Sequence, residues 1–227
     1  MQYHIELDID FKRNTEKGRY IAIEGIDGSG KSTQVARLQE YFEQQGKEVL
    51  VTNEPHHGSV VEKLIRDALQ SRIKIPSPAL QYLYSADRVM NQETVVKPAL
   101  KDGKTVLSHR VFWSAIPYGV MDKIMDSKHG TYDFNASNQI IIAQGILSMY
   151  HQFVVPDVTF YLDVSVATAL KRLHHMDKIK EIYEKRDKLE KIREGYKMLI
   201  EMFPKEFIVI DGERNEKEVT EEMLKVL

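Results

Sequence analysis

The stretch GIDGSGKS, Gly25 to Ser32, constrains this chain more than any other. It takes over from a short apolar run, Arg19 to Gly25, and opens a segment in which Val35, Leu38, Tyr41 and Phe42 recur at helical spacing until Gly46. The pattern G-x-x-x-x-G-K-[ST] matches without departure, in the strand–loop–helix setting its mechanism requires. Glycines let such a loop curl until its N–H groups converge on one point, and the following helix adds the positive end of its dipole there. The ligand for that cradle is a nucleoside triphosphate. Lys31 would reach the outer phosphates of ATP and the Ser32 hydroxyl would take a Mg2+ position. Gly25, Ile26, Asp27, Gly28, Ser29, Gly30 and Thr33 complete the expected ATP contact.

The rest of the chain repeats the strand–helix alternation. KEVLVTNEP, KTVLSHR, PDVTFYLDVS and EFIVIDGE read as four further strands, short, apolar and β-branched. Between them lie helical patterns at about Val60–Gln70, Pro78–Lys101, Ala115–Met125, Asn135–Phe153 and Val166–Met202, and Glu216–Leu227 closes the chain. Such alternation predicts an α/β fold, a three-layer α/β/α sandwich around a five-stranded parallel sheet. Residues 1–18 read as an extension, a short extra strand or a loose segment, and 19–227 as one domain of the P-loop nucleoside triphosphate hydrolase fold.

Composition narrows the function by exclusion. With no cysteine, the chain has no thiolate zinc site and no cysteine nucleophile, which fits a reducing compartment. A net charge of −2 supplies no basic footprint, so neither a nucleic-acid polymer nor an anionic membrane is an expected partner. No apolar run is long enough to span a bilayer, and the first residues lack the pattern of a secretory signal. A cytoplasmic location is expected.

Beyond the P-loop, the motifs IEGIDGSGKSTQ, NEPHHG, ALQYLYSADR, VKPALKDGKTVLSHR, PDVTFYLDVSVATALKR and EIYEKRDKLEKIREGY together resemble the thymidylate kinase family of nucleoside monophosphate kinases. The likeness runs from about Arg19 to the C-terminus. It implies transfer of a phosphoryl group from ATP–Mg2+ to dTMP, in a homodimer. Tyr84 matches the position on which the family stacks thymine, although a core tyrosine beside Leu80 and Leu83 would read the same way. Arg88 matches the arginine that contacts the acceptor, and Asp27 one that meets its sugar hydroxyl or the reacting phosphate. Glu54, Ser114 and Tyr118 match acceptor-site groups, and Arg110 a phosphate-binding arginine. The helical face at Ala136–Tyr150, with Ile140, Ile141 and Leu147, is a candidate dimer surface, and core packing explains those residues equally.

Phosphoryl transfer also needs positive charge on the transferring group. The segment of about 172–188 is rich in Lys and Arg with few apolar anchors, the character of a mobile lid or of a solvated helix face. Where some members of the family carry an arginine beside the P-loop aspartate, this chain has Gly28. The resemblance then implies a catalytic arginine in the lid, Arg186 first and Arg172 second.

Two positions depart from the family pattern. Asn53 replaces the arginine expected before Glu-Pro, and an asparagine cannot grip a phosphate bidentately. His56 and His57 follow, in place of the usual glycines. His109 replaces a carboxylate before Arg110, removing a group that would help hold Mg2+ or orient the acceptor. These departures keep open a kinase with another (deoxy)nucleotide or deoxynucleoside acceptor, and a nucleotide-binding protein with impaired catalysis.

Overall fold

The computed structural model describes residue 8 and residues 10–127, 143–174 and 185–227. Five parallel strands form the central sheet: β2 (Arg19–Glu24), β3 (Val49–Asn53), β4 (Thr105–His109), β6 (Val158–Asp163) and β7 (Ile208–Asp211), in the spatial order β3-β4-β2-β6-β7. This is the expected α/β/α sandwich. Alternation along the strands divides the core in two. Ile21 and Ile23 of β2, Leu107 of β4 and Phe160 and Leu162 of β6 face one layer. There they meet Val35, Leu38 and Phe42 of α1 (Lys31–Gln44) and Val219 and Met223 of α9 (Glu216–Leu224). Tyr20, Ala22, Val106 and Tyr161 face the other layer, with α2 (Val60–Leu69), α3 (Ser77–Asn91), α4 (Lys97–Lys101), α5 (Ala115–Ser127) and α8 (Arg186–Met202). Each aliphatic side chain fully buried in these layers contributes about 1.5–3 kcal/mol.

Register sets the height of the functional edge. Ile23 and Asn53 both pair with His109, so the ends of β2, β3 and β4 stand level and deliver Glu24, Asn53 and His109 to one rim. Strand order reverses beside β2, at the carboxyl edge where ligands of open α/β sheets bind.

The helical pattern over Pro78–Lys101 is interrupted. A π turn, Gln92–Val96, separates α3 from α4, with the Lys97 N–H reaching back to the Gln92 carbonyl. The cause is Pro98, which has no N–H to donate and whose ring would strike the carbonyl one turn back. The run expected over Val166–Met202 is described as α7 (Val166–His174) and α8; the middle of the expected lid, 175–184, lies outside the described residues. Within the expected helix Asn135–Phe153, helical structure is described over 143–148 (α6), and Ile140 and Ile141 lie outside the described residues. Leu147, a candidate for a dimer surface, packs into the core instead.

The N-terminal extension contributes a strand. Lys12–Arg13 (β1) pairs in parallel with Val154–Val155 (β5), and the Phe11 ring lies 5.2 Å from Trp113 and 5.7 Å from Phe203. Among the described residues, no helix is long and apolar enough to cross a membrane.

Candidate active site

A cavity of about 1120 Å3 opens along the carboxyl edge of the sheet, and the P-loop forms its floor. Gly25, Gly28 and Gly30 all adopt positive φ, and Gly28 is irreplaceable for a second reason: a Cβ there would stand 2.4 Å from the Ala169 carbonyl oxygen. Ile26 is fully buried beneath the loop, while Ser32 and Thr33 lie on the first turn of α1 with Ser32 exposed. Lys31 is buried, its Nζ donating to the carbonyls of Gly25 (3.0 Å) and Ile26 (2.8 Å). Burial and then the Arg110 charge lower the Lys31 pKa to about 7.

Arg110 joins the loop to the opposite wall. Its Nη2 donates to Asp27 Oδ1 at 2.6 Å and to the Tyr118 hydroxyl at 2.7 Å; its Nη1 donates to Ser114 Oγ at 3.1 Å and to the Tyr196 hydroxyl at 3.0 Å. The residue sits at φ 72, in the left-handed region that costs a non-glycine residue energy and marks functional sites when it is held there. What holds it is Ile23, whose carbonyl accepts the Arg110 N–H at 3.0 Å. Beneath it, Glu24 is fully buried and accepts from the Val111 N–H, Ser114 Oγ and the Tyr196 hydroxyl at 2.7–2.9 Å. Burial alone would raise the Asp27 pKa, but Arg110 and then Lys31 hold it down to about 2, so Asp27 is a carboxylate at any ordinary pH.

On the acceptor side, α3 presents Gln81, Tyr84 and Arg88 to the cavity from one face. Arg88 is buried rather than a solvated surface charge. Its Nε donates to Glu54 at 2.6 Å, its Nη1 to the Tyr150 hydroxyl at 2.7 Å, and its guanidinium lies 5.3 Å from the Tyr84 ring centre. Burial pushes Glu54 up to about 7 against the pull of Arg88. Asp87 turns the other way and clamps the loop after β3, accepting from the His56 N–H at 2.7 Å and Ser59 Oγ at 3.0 Å.

The two departures occupy the same rim. Asn53 turns its amide back onto the Pro55 carbonyl, so it is committed to its own turn. His57 lies outward against Glu62 and Arg66, and the His56 Nδ1 is buried without a partner. His109 is half-buried; burial, then Lys31 and Arg110, push its pKa down to about 3, leaving a neutral imidazole. It therefore does not replace the absent arginine as a cation.

The structure brings together Asp27, Lys31, Arg110, Ser114 and Tyr118, and Glu54 with Tyr84 and Arg88, on one cavity. Ser114 stands in the turn Phe112–Ser114 before α5, its hydroxyl engaged by Glu24 and Arg110 beneath the cavity wall. Arg186 is not among these residues. It opens α8, is exposed, and faces Glu190 at 3.6 Å. Arg172 instead reaches the P-loop, donating to the carbonyls of Ser29 (3.2 Å) and Gly212 (2.9 Å). Sequence reasoning missed Tyr150 and Tyr196, whose hydroxyls hold Arg88 and Arg110; in sequence both are aromatic residues at core spacing, with no signal to mark a polar task. Glu24 carried a signal in its place before Gly25, a carboxylate ending a buried strand, without being assigned a role.

For a Mg2+ ion the residues present supply one hard oxygen donor, the exposed Ser32 hydroxyl, while the Asp27 carboxylate is already engaged by Arg110 and Tyr118. Among the described residues no cluster of three or more His, Asp or Glu side chains forms a protein cage, so a metal here would draw its remaining ligands from phosphate and water, as Mg2+ characteristically does.

A family model described as thymidylate kinase matches residues 23–223. The chain is 32% identical over 212 residues to the thymidylate kinase of Thermoanaerobacter pseudethanolicus, covering 93% of this chain and 98% of that one. It is 35% identical over 199 residues to the thymidylate kinase of Clavibacter sepedonicus, covering 86% and 87%. The solved structure of thymidylate kinase from Candida albicans superposes with a TM-score of 0.76 over 92% of this chain and 90% of that one, at 22% identity, a likeness of fold.

Proposed function

Because the chain belongs to the thymidylate kinase family, we propose that it transfers the γ-phosphoryl group of ATP to dTMP, giving dTDP and ADP. The observation that carries the reading is the Arg110–Asp27 bridge, which ties the triphosphate cradle to the wall of a second basin within one cavity. The acceptor phosphate is already ionised, so no strong general base is required, and the work of the site is positioning and charge stabilisation. Lys31 and the loop amides hold the donor, while Tyr84 offers a flat face to the base. Arg88, set by Glu54 and Tyr150, and Arg110, set by Asp27 and Tyr196, orient the acceptor. When bound at Ser32, Mg2+ would neutralise developing charge on the phosphates.

A coupled ADP-release assay against a panel of nucleosides and monophosphates tests the reaction. Turnover greatest with dTMP is expected. The commitment of Asn53 to the Pro55 carbonyl favours a second reading, a different acceptor, and turnover confined to another nucleotide or nucleoside would establish it. ATP binding without turnover on any acceptor would overturn both.

The lid arginine has its own test. Arg186→Ala decides it: a catalytic Arg186 predicts a kcat about a hundredfold lower with the KM for dTMP within about threefold, the mark of a charge that acts only as the γ-phosphoryl moves. An unchanged kcat would transfer that role to Arg172, which already touches the P-loop.

A further inference from the structure

Gln81 has no part in the mechanism above, yet it is the residue on the acceptor wall with the clearest unmet bonding capacity. It lies one turn before Tyr84 on the same face of α3 and lines the same cavity. Its Nε2 donates to Asp122 Oδ2 of α5 at 3.3 Å, and its Oε1 is buried with no hydrogen-bond partner. Gly119 of α5 stands beside the amide: a Cβ there would make only ordinary contact with the Gln81 Cδ, at 3.6 Å, and the close approach that requires the glycine is that of the Ile146 Cδ1, at 2.4 Å.

A primary amide has two orientations, with a donor and an acceptor exchanged. The Asp122 carboxylate only accepts, so it fixes Nε2 toward itself and leaves Oε1 as the group on offer. A buried carbonyl oxygen without a partner costs free energy that an incoming N–H donor recovers. The geometry points to Gln81 as a base-reading residue of the acceptor site, with Oε1 accepting the N3–H of a thymine or uracil ring placed against Tyr84. Cytosine carries a lone pair at N3, so the same fixed amide would set acceptor against acceptor and reject it. Asp122 is then a positioning residue that chooses imide-bearing over amidine-bearing pyrimidines. The inference rests on the thymidylate kinase reading and adds to it the group that discriminates among pyrimidines.

The test compares dTMP with N3-methyl-dTMP, which lacks the N3–H, by isothermal titration calorimetry on the full chain. Wild type should bind dTMP about 10- to 100-fold more tightly. In Gln81→Ala that ratio should fall to within about threefold, with the KM for ATP unchanged. Gln81→Met, which keeps the side-chain volume, repeats the test should the alanine variant lose its cooperative thermal transition. Asp122→Asn frees the amide to turn, and its kcat/KM ratio of dCMP to dTMP should rise at least about tenfold over wild type. Discrimination against N3-methyl-dTMP that survives in both Gln81 variants overturns the assignment of Gln81. An unchanged dCMP to dTMP ratio in Asp122→Asn overturns the fixing of the amide. Wild type that fails to phosphorylate dTMP overturns the kinase reading itself, a result separable from either.

Discussion

Lys31→Ala should lower kcat/KM for ATP by about a thousandfold or more, the order expected when a preorganised charge on a transferring phosphoryl group is lost. The structure gives this substitution an unusual second readout. Lys31 is almost wholly buried, and its ammonium is held by two backbone carbonyls while the nearest carboxylate oxygen, on Asp27, stands 3.9 Å away. Burial and the neighbouring Arg110 therefore pull its pKa from the usual lysine range to about 7. The charged form is complete well below pH 7 and is lost as pH rises through it. A triphosphate in the cradle supplies the negative charge that drives the pKa back up. ATP binding to wild type at pH 8 should consequently take up protons, and at pH 6 should not, as read by calorimetry in buffers of different ionisation enthalpy. Lys31→Ala should remove the pH 8 uptake together with the turnover. A variant that keeps more than a tenth of wild-type kcat/KM would separate Lys31 from the chemistry.

How much of this was legible in the sequence depended on whether a residue's role is local. The P-loop reads directly because its function is a backbone shape set by neighbours in sequence, and strand–helix alternation led from it to the sheet. The rim residues Asn53, His109 and Arg110 could be placed at strand ends because each closes an apolar run. The hydrogen-bond partners could not. Arg110 is held by Tyr196, 86 positions away, and Arg88 by Tyr150, 62 positions away, contacts created only when α8 and the turn after α6 pack against the cavity wall. The orphaned oxygen of Gln81 is equally invisible, since its meaning comes from Asp122 on a different helix. Arg172 and Arg186 illustrate the converse. Both lie in a charged stretch with no periodicity to rank them, and only the packing of α7 beside the P-loop sets Arg172 on the Ser29 carbonyl.

Substitutions at Arg110 should have the largest combined effect on stability and activity, and their ranking separates two physical causes. The guanidinium makes four hydrogen bonds and neutralises Asp27 directly, with Glu24 3.8 Å away. Deleting it strands buried negative charge, which costs about 3–5 kcal/mol where one partner of a buried pair is removed. The backbone adds its own contribution, because Arg110 sits at φ 72 and any residue with a Cβ carries about 1 kcal/mol of strain there. Arg110→Ala loses the guanidinium and keeps the strain; Arg110→Gly loses the guanidinium and releases it. Arg110→Lys keeps a charge without the fork that spans Asp27 and Ser114. Chemical denaturation should therefore rank stability as wild type, Lys, Gly, then Ala, with Gly above Ala by about 1 kcal/mol. All three should lose dTMP turnover by about a hundredfold or more, because positioning of the acceptor phosphate and of Asp27 fails together. Acid sensitivity follows with a definite sign. Asp27 is depressed to about 2 in the wild-type fold, so its stabilisation is complete above the usual aspartate range and is lost only as pH falls toward 2. Without Arg110, burial raises that pKa, and the Ala and Gly variants should be destabilised relative to wild type by less at pH 4 than at pH 7. Equal stability of Ala and Gly would show that the φ of 72 stores no strain, and an unchanged turnover in either would remove Arg110 from the acceptor site.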